Sequence, residues 1–302
     1  MSDVSASQPL LWRRFRKAPL AIFAAAVTAL IVLAATFAPL LATQNPFDPA
    51  SLDLANSLLP PAWTDAGDAR FTLGTDDQGR DMLSALLYGS RISLFVGLAA
   101  VAFAAVLGVA VGLVAGYTGG WIDTLAMRAA DVQLTIPALL IALMVDGLAR
   151  ALLPPASHDA VAIYVLIFSI GIADWPQYAR VVRAATAVQK TLGYVAAARV
   201  MGVSAPVIVW RHILPNVLTS VIVLATLGLA LAIISEATLS FLGVGMPPTA
   251  PSLGTLIRIG NNFLFSGEWW ITLFPSAALV LLALAVNLLG DWLRDALNPK
   301  LR

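Results

Sequence analysis

Three carboxylates within or beside strongly apolar segments are the residues of this sequence best placed to do chemistry. Asp131 and Asp174 are predicted near the ends of apolar segments, where water reaches them, and Glu236 is predicted deeper in one. Ionisable groups at such positions are candidates for binding a solute or moving a proton. Together with Ser240, they are our candidates for lining a solute path. The alternatives are local: helix capping or pairing with arginine for the aspartates, and a structural hydrogen bond for Glu236.

Motifs for hydrolytic or covalent chemistry are absent from the sequence. It contains no G-x-x-x-x-G-K-[ST], no H-E-x-x-H and no G-x-S-x-G. The lack of cysteine excludes disulfides, thiolate metal sites and a Cys nucleophile. His158 and His212 are too far apart for a convincing histidine metal site. We therefore predict no enzyme activity, no catalytic residue, no metal site and no cofactor in this chain, so energy for any transport would come from a partner or an ion gradient.

The acidic run LGTDDQGRD at 73–81 weakly resembles a calcium loop. It lacks the alternating oxygen ligands and the closing Glu of an EF-hand. We therefore interpret it as a tight turn that caps the next helix.

The elements that carry these residues are long apolar segments. The chain is 59% hydrophobic and 12% charged, whereas soluble domains have about 25% charged residues. A net charge of +1 gives no reason to expect a nucleic-acid partner. We predict an all-α integral membrane protein in contact with lipid, with six segments long enough to cross ~30 Å of hydrocarbon. These segments are Ala18–Ala42, Ser90–Tyr117, Ala129–Leu148, Ala160–Ala179, Val217–Phe241 and Trp270–Leu289.

Some of these segments carry further signals. The first is too long for the apolar part of a cleaved signal peptide, so we expect it to be an uncleaved span. The third and fourth are expected to break at Pro137 and near Pro176. In the second, small residues recur every four positions, which would let a neighbouring helix approach closely; a hinge is the alternative. The small residues are Ala104, Gly108, Gly112 and Gly116.

The distribution of basic residues predicts the orientation. Thirteen of the 18 Lys and Arg residues fall on the side that holds both termini, and cytoplasmic segments retain such residues. We therefore predict cytoplasmic termini. The predicted segments are 1–17, a cytoplasmic N-terminal segment; 18–42, the first transmembrane helix; 43–88, an extracytoplasmic loop or subdomain; 89–290, a five-helix core; and 291–302, a cytoplasmic tail.

Within the core, the cytoplasmic loop 186–216 contains an unusual break in the apolar pattern, Tyr194–Asn216. Its alanines favour a short helix that Gly202 can end in the left-handed conformation. Ser204 is a plausible N-cap of a second short helix, and Pro215 is expected to mark the entry into the fifth span. The short helix is either packed on its own bundle or presented to a partner, and the residues alone leave both open.

The same loop carries a family resemblance. Ala196-Ala197-Ala198-x-x-x-Gly202, followed by Leu214-Pro215, resembles the EAA loop of binding-protein-dependent ABC importer permeases. Further stretches resemble the peptide/nickel branch of that family in its shorter, second-subunit form. They are LGTDDQGRD at 73–81, YGSRISL at 88–94, ATLSFLG at 237–243, NLLGD at 287–291 and LRDALNP at 293–299.

The resemblance implies a type I ABC importer permease fold in a bacterial cytoplasmic (inner) membrane. It implies a heterodimer with a homologous permease, two cytoplasmic ATPase subunits that hold ATP and Mg, and an extracytoplasmic solute-binding protein. The carboxylates above would then line a translocation path for peptides or a related solute, a nickel complex included. The residues expected to couple to the ATPase are Tyr194, Ala196, Ala197, Ala198, Arg199, Met201, Gly202, Leu214 and Pro215.

The chain departs from the family pattern at two positions. Ala196 stands in place of the signature glutamate, and His212 takes the usual isoleucine position. The resemblance therefore implies coupling by shape and apolar contact, without an acidic contact from position 196.

Two other function classes remain at this point. An intramembrane enzyme would need a pair of carboxylates at one depth in the membrane, with Asp131, Asp146 and Glu236 as the candidates. A secondary transporter would work without any ATPase.

Overall fold

The computed structural model describes residue 12 and residues 14–297, and within that part of the chain the fold is helical. The basic residues Arg13, Lys300 and Arg302, used in predicting the orientation, lie outside it. The α-helices are α1 (Pro19–Thr36), α2 (Ala38–Leu41), α3 (Met82–Thr118), α4 (Gly120–Leu134), α5 (Ala138–Leu152), α6 (His158–Lys190), α7 (Gly193–Val200), α8 (Ala205–Ile208), α9 (Leu214–Phe241), α10 (Leu253–Asn261) and α11 (Trp270–Leu297). A π-helical turn, Val209–Ile213, joins α8 to α9. Four short 3₁₀ segments are Pro49–Ser51, Leu54–Asn56, Pro155–Ser157 and Leu264–Ser266.

In the part of the chain that the structure describes, five helical segments are long and apolar enough to cross a membrane: α1, α3, α6, the run from α8 through α9, and α11. The helices α4 and α5 form a pair bent by 93° at the break before Pro137. The number of spans is six when this bent pair counts as one span. The prediction of an interruption at Pro137 is confirmed, and its physical reason is that proline disfavours the helical conformation of the residue before it.

Several helices extend beyond the predicted apolar segments. α3 begins at Met82, inside the segment assigned to the outer loop, and α6 continues to Lys190. The residues between the second and third predicted segments, 118–128, were expected to form a loop, and this is wrong because α4 occupies most of them. A hydropathy window stops at the first charged residues, whereas helical hydrogen bonding continues past the lipid wherever no Gly or Pro ends it.

The break predicted near Pro176 is also wrong, since α6 is continuous with Pro176 inside it. A proline leaves the carbonyl of the residue four positions earlier without its helical donor. Here the Gln133 side-chain amide on α4 donates to the Ile172 carbonyl, and it also contacts the Ala173 carbonyl at 3.4 Å. The Trp175 indole N–H donates back to Gln133 Oε1 at 3.0 Å. A neighbouring side chain therefore satisfies the group that Pro176 frees, and the helix persists.

The small residues of α3 form a close contact with α6. A Cβ added to Gly108 would lie 2.4 Å from the Tyr178 Cβ on α6, and one added to Gly112 would lie 2.6 Å from the Ala179 carbonyl oxygen. At Gly116 the nearest atom would be the Arg183 carbonyl oxygen at 2.7 Å. The predicted close approach of a neighbouring helix is confirmed, and the neighbour is α6.

The segment before α3 forms a compact cap on one end of the bundle. Arg80 and Asp76 make a buried ion pair at 2.7 Å, and Arg80 Nη1 donates to the Pro248 carbonyl at 2.8 Å. The Asp81 carboxylate accepts from the Ser84 amide at 3.0 Å and so caps α3. The interpretation of 73–81 as a capping turn is confirmed.

Candidate functional site

The break between α6 and α9 folds into a short helix closed by a glycine. Gly202 has φ of +78°, the left-handed conformation that glycine adopts without steric cost. The Val203 amide donates to the Ala198 carbonyl and the Gly202 amide to the Arg199 carbonyl, both at 3.0 Å. This pair of hydrogen bonds is a Schellman motif, and it ends α7 at the residue predicted from the sequence.

One face of α7 packs on the protein and the other is open. Val195 and Ala198 are buried in a core cluster with Ile208, Ile213 and parts of α3 and α6. Ala196 and Ala197 are exposed. The apolar side chains of Val200 and Met201 at the end of α7 are 90% and 74% exposed.

Of the predicted coupling residues, Ala198 therefore lies on the packed face of α7. Four others, Ala196, Ala197, Met201 and Gly202, lie on the open side together with Val200, which the sequence analysis did not predict. We call these five residues the α7 surface.

Tyr194 ties the two ends of the loop together. Its hydroxyl donates to Gln189 Oε1 at 2.5 Å on α6 and lies 3.4 Å from both the His212 carbonyl oxygen and Asn216 Nδ2. Asn216 Nδ2 also donates to the His212 carbonyl at 2.7 Å. This network fixes where the π turn lies relative to the end of α6.

Arg199 contacts its own chain. The Arg199 guanidinium and the Lys190 ammonium both lie 5.6 Å from the Tyr117 ring centroid, so the last turn of α3 holds two cations over one aromatic ring. The sequence analysis missed Tyr117, and the available signal was an aromatic residue two positions before the glycines that follow α3. Through this contact, α3, α6 and α7 meet at one point.

Leu214 and Pro215 lie at the start of α9, after the π turn Val209–Ile213. The Leu214 amide donates to the Val209 carbonyl, five residues earlier, which is the hydrogen bond of a π turn. The chain is helical from Ala205 to Phe241, and within this run Pro215 lies in the first turn of α9, as predicted. Ser204 is the N-cap residue of α8 by position, but its side chain makes no capping hydrogen bond.

The candidate path residues fall into three environments. Asp131 is exposed and lies 3.8 Å from Arg180, so the predicted local pairing is present. Glu236 is fully buried, and accepts hydrogen bonds from Ser93 Oγ and Ser240 Oγ, each at 2.7 Å. The structure thus supports the structural alternative for Glu236 and Ser240. Asp174 lies in the middle of α6, deeper than the predicted segment end.

Glu236 also anchors a helix that the sequence reading missed. Ser93 Oγ accepts from the Leu253 amide at 3.3 Å, and Ser240 Oγ accepts from the Met246 amide at 3.1 Å. Leu253 is the first residue of α10, and Met246 lies in the segment that leads into it. No sequence signal joins Ser93 to Glu236, because they are distant in the chain and meet only through helix packing.

The carboxylates do not assemble into a catalytic pair. Asp131 pairs with Arg180, Asp146 with Arg150 at 2.6 Å, and Glu236 with serines. Among the described residues, no group of three His, Cys, Asp or Glu side chains is placed to hold a metal ion. The arrangement offers binding and packing groups, and none of these carboxylates shares a partner with another.

Comparison with known families gives two matches that together cover most of the chain. Residues 108–302 match the family described as binding-protein-dependent transport system inner membrane component. Residues 10–61 match the N-terminal TM domain of oligopeptide transport permease C.

Individual relatives agree along nearly the full length. The dipeptide transport system permease protein DppC of Haemophilus influenzae is 38% identical, over 96% of this chain and 94% of the relative. The di/tripeptide transport system permease protein DppC of Pseudomonas aeruginosa is 38% identical, over 90% and 86%. The glutathione transport system permease protein GsiD of Pectobacterium atrosepticum is 36% identical, over 96% and 90%.

Solved structures share the fold at lower identity. Two crystal forms of the MetNI methionine ABC transporter in inward-facing conformations each match with a TM-score of 0.55. Each match covers 72% of this chain and 98% of the other, at 19% and 23% identity. These likenesses concern the fold alone.

Proposed function

The chain belongs to the family of binding-protein-dependent transport system inner membrane components, and from this premise we propose that it carries short peptides. It is a multi-pass inner-membrane permease subunit of a bacterial ABC importer, and it is a transport subunit, not an enzyme. The relatives named above carry dipeptides, di- or tripeptides and glutathione according to their names. These solutes share a peptide backbone, which supports a peptide substrate, and none of those names supports nickel.

The family implies a partner permease, ATPase subunits and a binding protein. We propose the specific form of this assembly: a heterodimer with a homologous permease, two cytoplasmic ATPases that bind ATP and Mg, and a binding protein on the outer side. The two permeases would then each form half of the translocation path. Cytoplasmic termini are part of the same proposal, since they place α7 and the ATPases on one side.

The observation that carries the coupling role is the open α7 surface. Val200 and Met201 are large apolar side chains left exposed at the end of a helix whose other face is firmly packed. Exposed apolar residues beside small ones mark a surface suited to a protein partner. The turn at Gly202 and the Tyr117 contacts hold this surface rigidly against α3 and α6. A displacement of the surface would therefore be transmitted to the helix bundle.

The test uses the complete transporter reconstituted in proteoliposomes with its binding protein. Val200→Asp with Met201→Asp would place charges in the proposed apolar contact, and we expect ATP-driven dipeptide uptake to fall by about tenfold or more, with loss of ATPase co-purification. Leu54→Asp is the matched control, because Leu54 is also an exposed apolar residue (71%) but lies in the segment before α3. Wild-type uptake by the double variant would contradict the coupling role.

The same preparation tests the secondary-transporter hypothesis of the sequence analysis, which the named relatives do not support. A secondary transporter would take up peptide without ATPases and would stop when an uncoupler collapses the ion gradient. Uptake that needs ATP and survives the uncoupler supports the proposed function.

A further inference from the structure

Asp174 is a carboxylate in the middle of α6 for which the described residues provide no hydrogen-bond or ion-pair partner. It borders a small cavity between α5, α6 and α9. The other polar side chain of this cavity is Ser235, which likewise has no hydrogen-bond partner within the described part of the chain. The remaining lining is apolar: Ala138, Leu139, Ala142, Ile170, Ala173 and Leu239.

Cations lie close along the same helix, but they are engaged elsewhere. Arg180 lies 3.8 Å from Asp131, and Arg183 makes an ion pair of 2.5 Å with Asp123. One helical turn after Asp174, the Tyr178 hydroxyl is buried and has no hydrogen-bond partner among the described residues. This face of α6 thus carries the Asp174 carboxylate and the Tyr178 hydroxyl, for which the described residues provide no hydrogen-bond partner. Burying such groups without partners is unfavourable.

The backbone around Asp174 is held in place. Gln133 donates to the carbonyl of Ile172, two residues before it, and accepts from the indole of Trp175, directly after it. Asp174 itself takes no part in this network. A carboxylate fixed by its neighbours but unpaired is preorganised for an external partner.

The chemistry of the cavity limits what that partner can be. A metal ion such as Ca²⁺ requires six or more oxygen ligands, and no cluster of three ligating side chains exists among the described residues. The cavity of about 10 Å³ has room for roughly one water-sized group. An ammonium group is of that size, carries the complementary charge, and has donors for both a carboxylate and a hydroxyl.

We propose that Asp174, with Ser235 across the cavity, binds the free amino-terminal ammonium of a peptide as it crosses the membrane. The inference rests on the proposed function, because it takes the solute to be a peptide with an ionised α-amino group. Asp174 would bind the peptide after the binding protein has released it. It would therefore affect the rate of passage and leave the capture of peptide unchanged.

The first experiment measures initial dipeptide uptake by the reconstituted transporter at varied peptide concentration. For Asp174→Asn we expect the maximal rate to fall about tenfold, since a charge-assisted hydrogen bond is lost, with the half-saturating concentration unchanged. Asp174→Glu should recover part of the rate. Asp146→Asn is the control, because Asp146 already pairs with a protein arginine, and it should stay within about twofold of wild type.

The second experiment uses the absence of cysteine from this chain. Asp174→Cys creates a single thiol that a small cationic thiol reagent should modify in the assembled transporter. Transported dipeptide with a free amino terminus should slow that modification during turnover. The proposal would be overturned if the reagent reacts with the thiol in none of the nucleotide states, or if the transported peptide does not slow the reaction.

The outcomes separate this inference from the function on which it rests. No ATP-driven peptide uptake by the wild-type transporter would overturn the proposed function. Wild-type uptake together with an unchanged maximal rate in Asp174→Asn would overturn only the ammonium site. A fall in the rate that Asp174→Glu does not recover, with a parallel loss of folded protein, would show a purely structural role and also overturn it.

Discussion

Glu236 joins three separate parts of the chain through hydroxyl groups. Ser93 from α3 and Ser240 from α9 both donate to its carboxylate. The same serines accept amide hydrogen bonds from Leu253, the first residue of α10, and from Met246, which lies before it. A buried polar network is stabilising only while each of its members is satisfied. Glu236 therefore holds α10 onto the bundle, and its loss would leave several groups unpaired at once.

Glu236→Ala should lower stability by about 1–3 kcal/mol, because the two serine hydroxyls lose a common acceptor. The measurement is the thermal unfolding midpoint of the detergent-purified chain. Glu236→Gln is the matched control, since its amide oxygen still accepts and its NH₂ donates, and it should retain most of the stability. Equal losses for both variants would show that the negative charge matters more than the hydrogen bonds.

Sequence reasoning at the residue scale succeeded where partners are close in sequence or where the backbone decides. Gly202 and the Asp81 cap were predicted because left-handed turns and N-caps have local signatures. The unpaired state of Asp174 and the bridge from Gln133 to Ile172 could not be predicted, since both depend on how two helices are rotated against each other. Hydropathy carries no information on that rotation.

At the scale of elements, the contact between α3 and α6 depends on the lack of side chains at Gly108, Gly112 and Gly116. Added Cβ atoms there would lie 2.4 to 2.7 Å from atoms of α6, backbone carbonyl oxygens among them. Backbone atoms cannot rotate away as the end of a side chain can, so the helices would have to separate.

Gly112→Leu should destabilise the chain by about 1–3 kcal/mol or more, through overpacking against Ala179 and Val182. The matched control is Gly147→Leu on α5, where an added Cβ meets no atom within 4 Å. Thermal unfolding and the yield of folded protein check the difference. If both substitutions have the same effect, close packing at Gly112 does not explain why small residues recur every four positions in α3.

Element prediction was accurate for the apolar cores of the spans and poor at their ends. All six predicted segments overlap a helix of the structure, because about 20 apolar residues in a row have few alternatives to a helix in lipid. The polar ends of α3 and α6, and the whole of α10, have mixed composition and resemble loops in a hydropathy reading. The continuity of α6 through Pro176 required knowledge of Gln133, which lies on another helix.

At the scale of the whole molecule, the bent pair α4–α5 decides on which side the chain ends. If the pair crosses the membrane as one span, the segment before α3 and the end of α11 lie on opposite sides. If it enters and leaves on the same side, they lie on the same side. The excess of basic residues around the termini favours the first arrangement.

Single cysteines test this topology in a chain that has none. Asp65→Cys before α3 and Asp295→Cys near the end of α11 are both exposed positions. We expect a membrane-impermeant thiol reagent applied to intact spheroplasts to label Asp65→Cys alone, and to label Asp295→Cys only after permeabilisation. Labelling of both positions in intact spheroplasts would show that α4–α5 is re-entrant.

The glycine contact between α3 and α6 also has a mechanical consequence. α3 has 37 residues and α6 has 33, which at 1.5 Å per residue makes them about 50–55 Å long. Two rods of that length, locked together at three successive turns, resist bending far better than either alone. A displacement applied at Tyr117, where Arg199 of α7 contacts α3, would therefore move the far end of the pair as a lever.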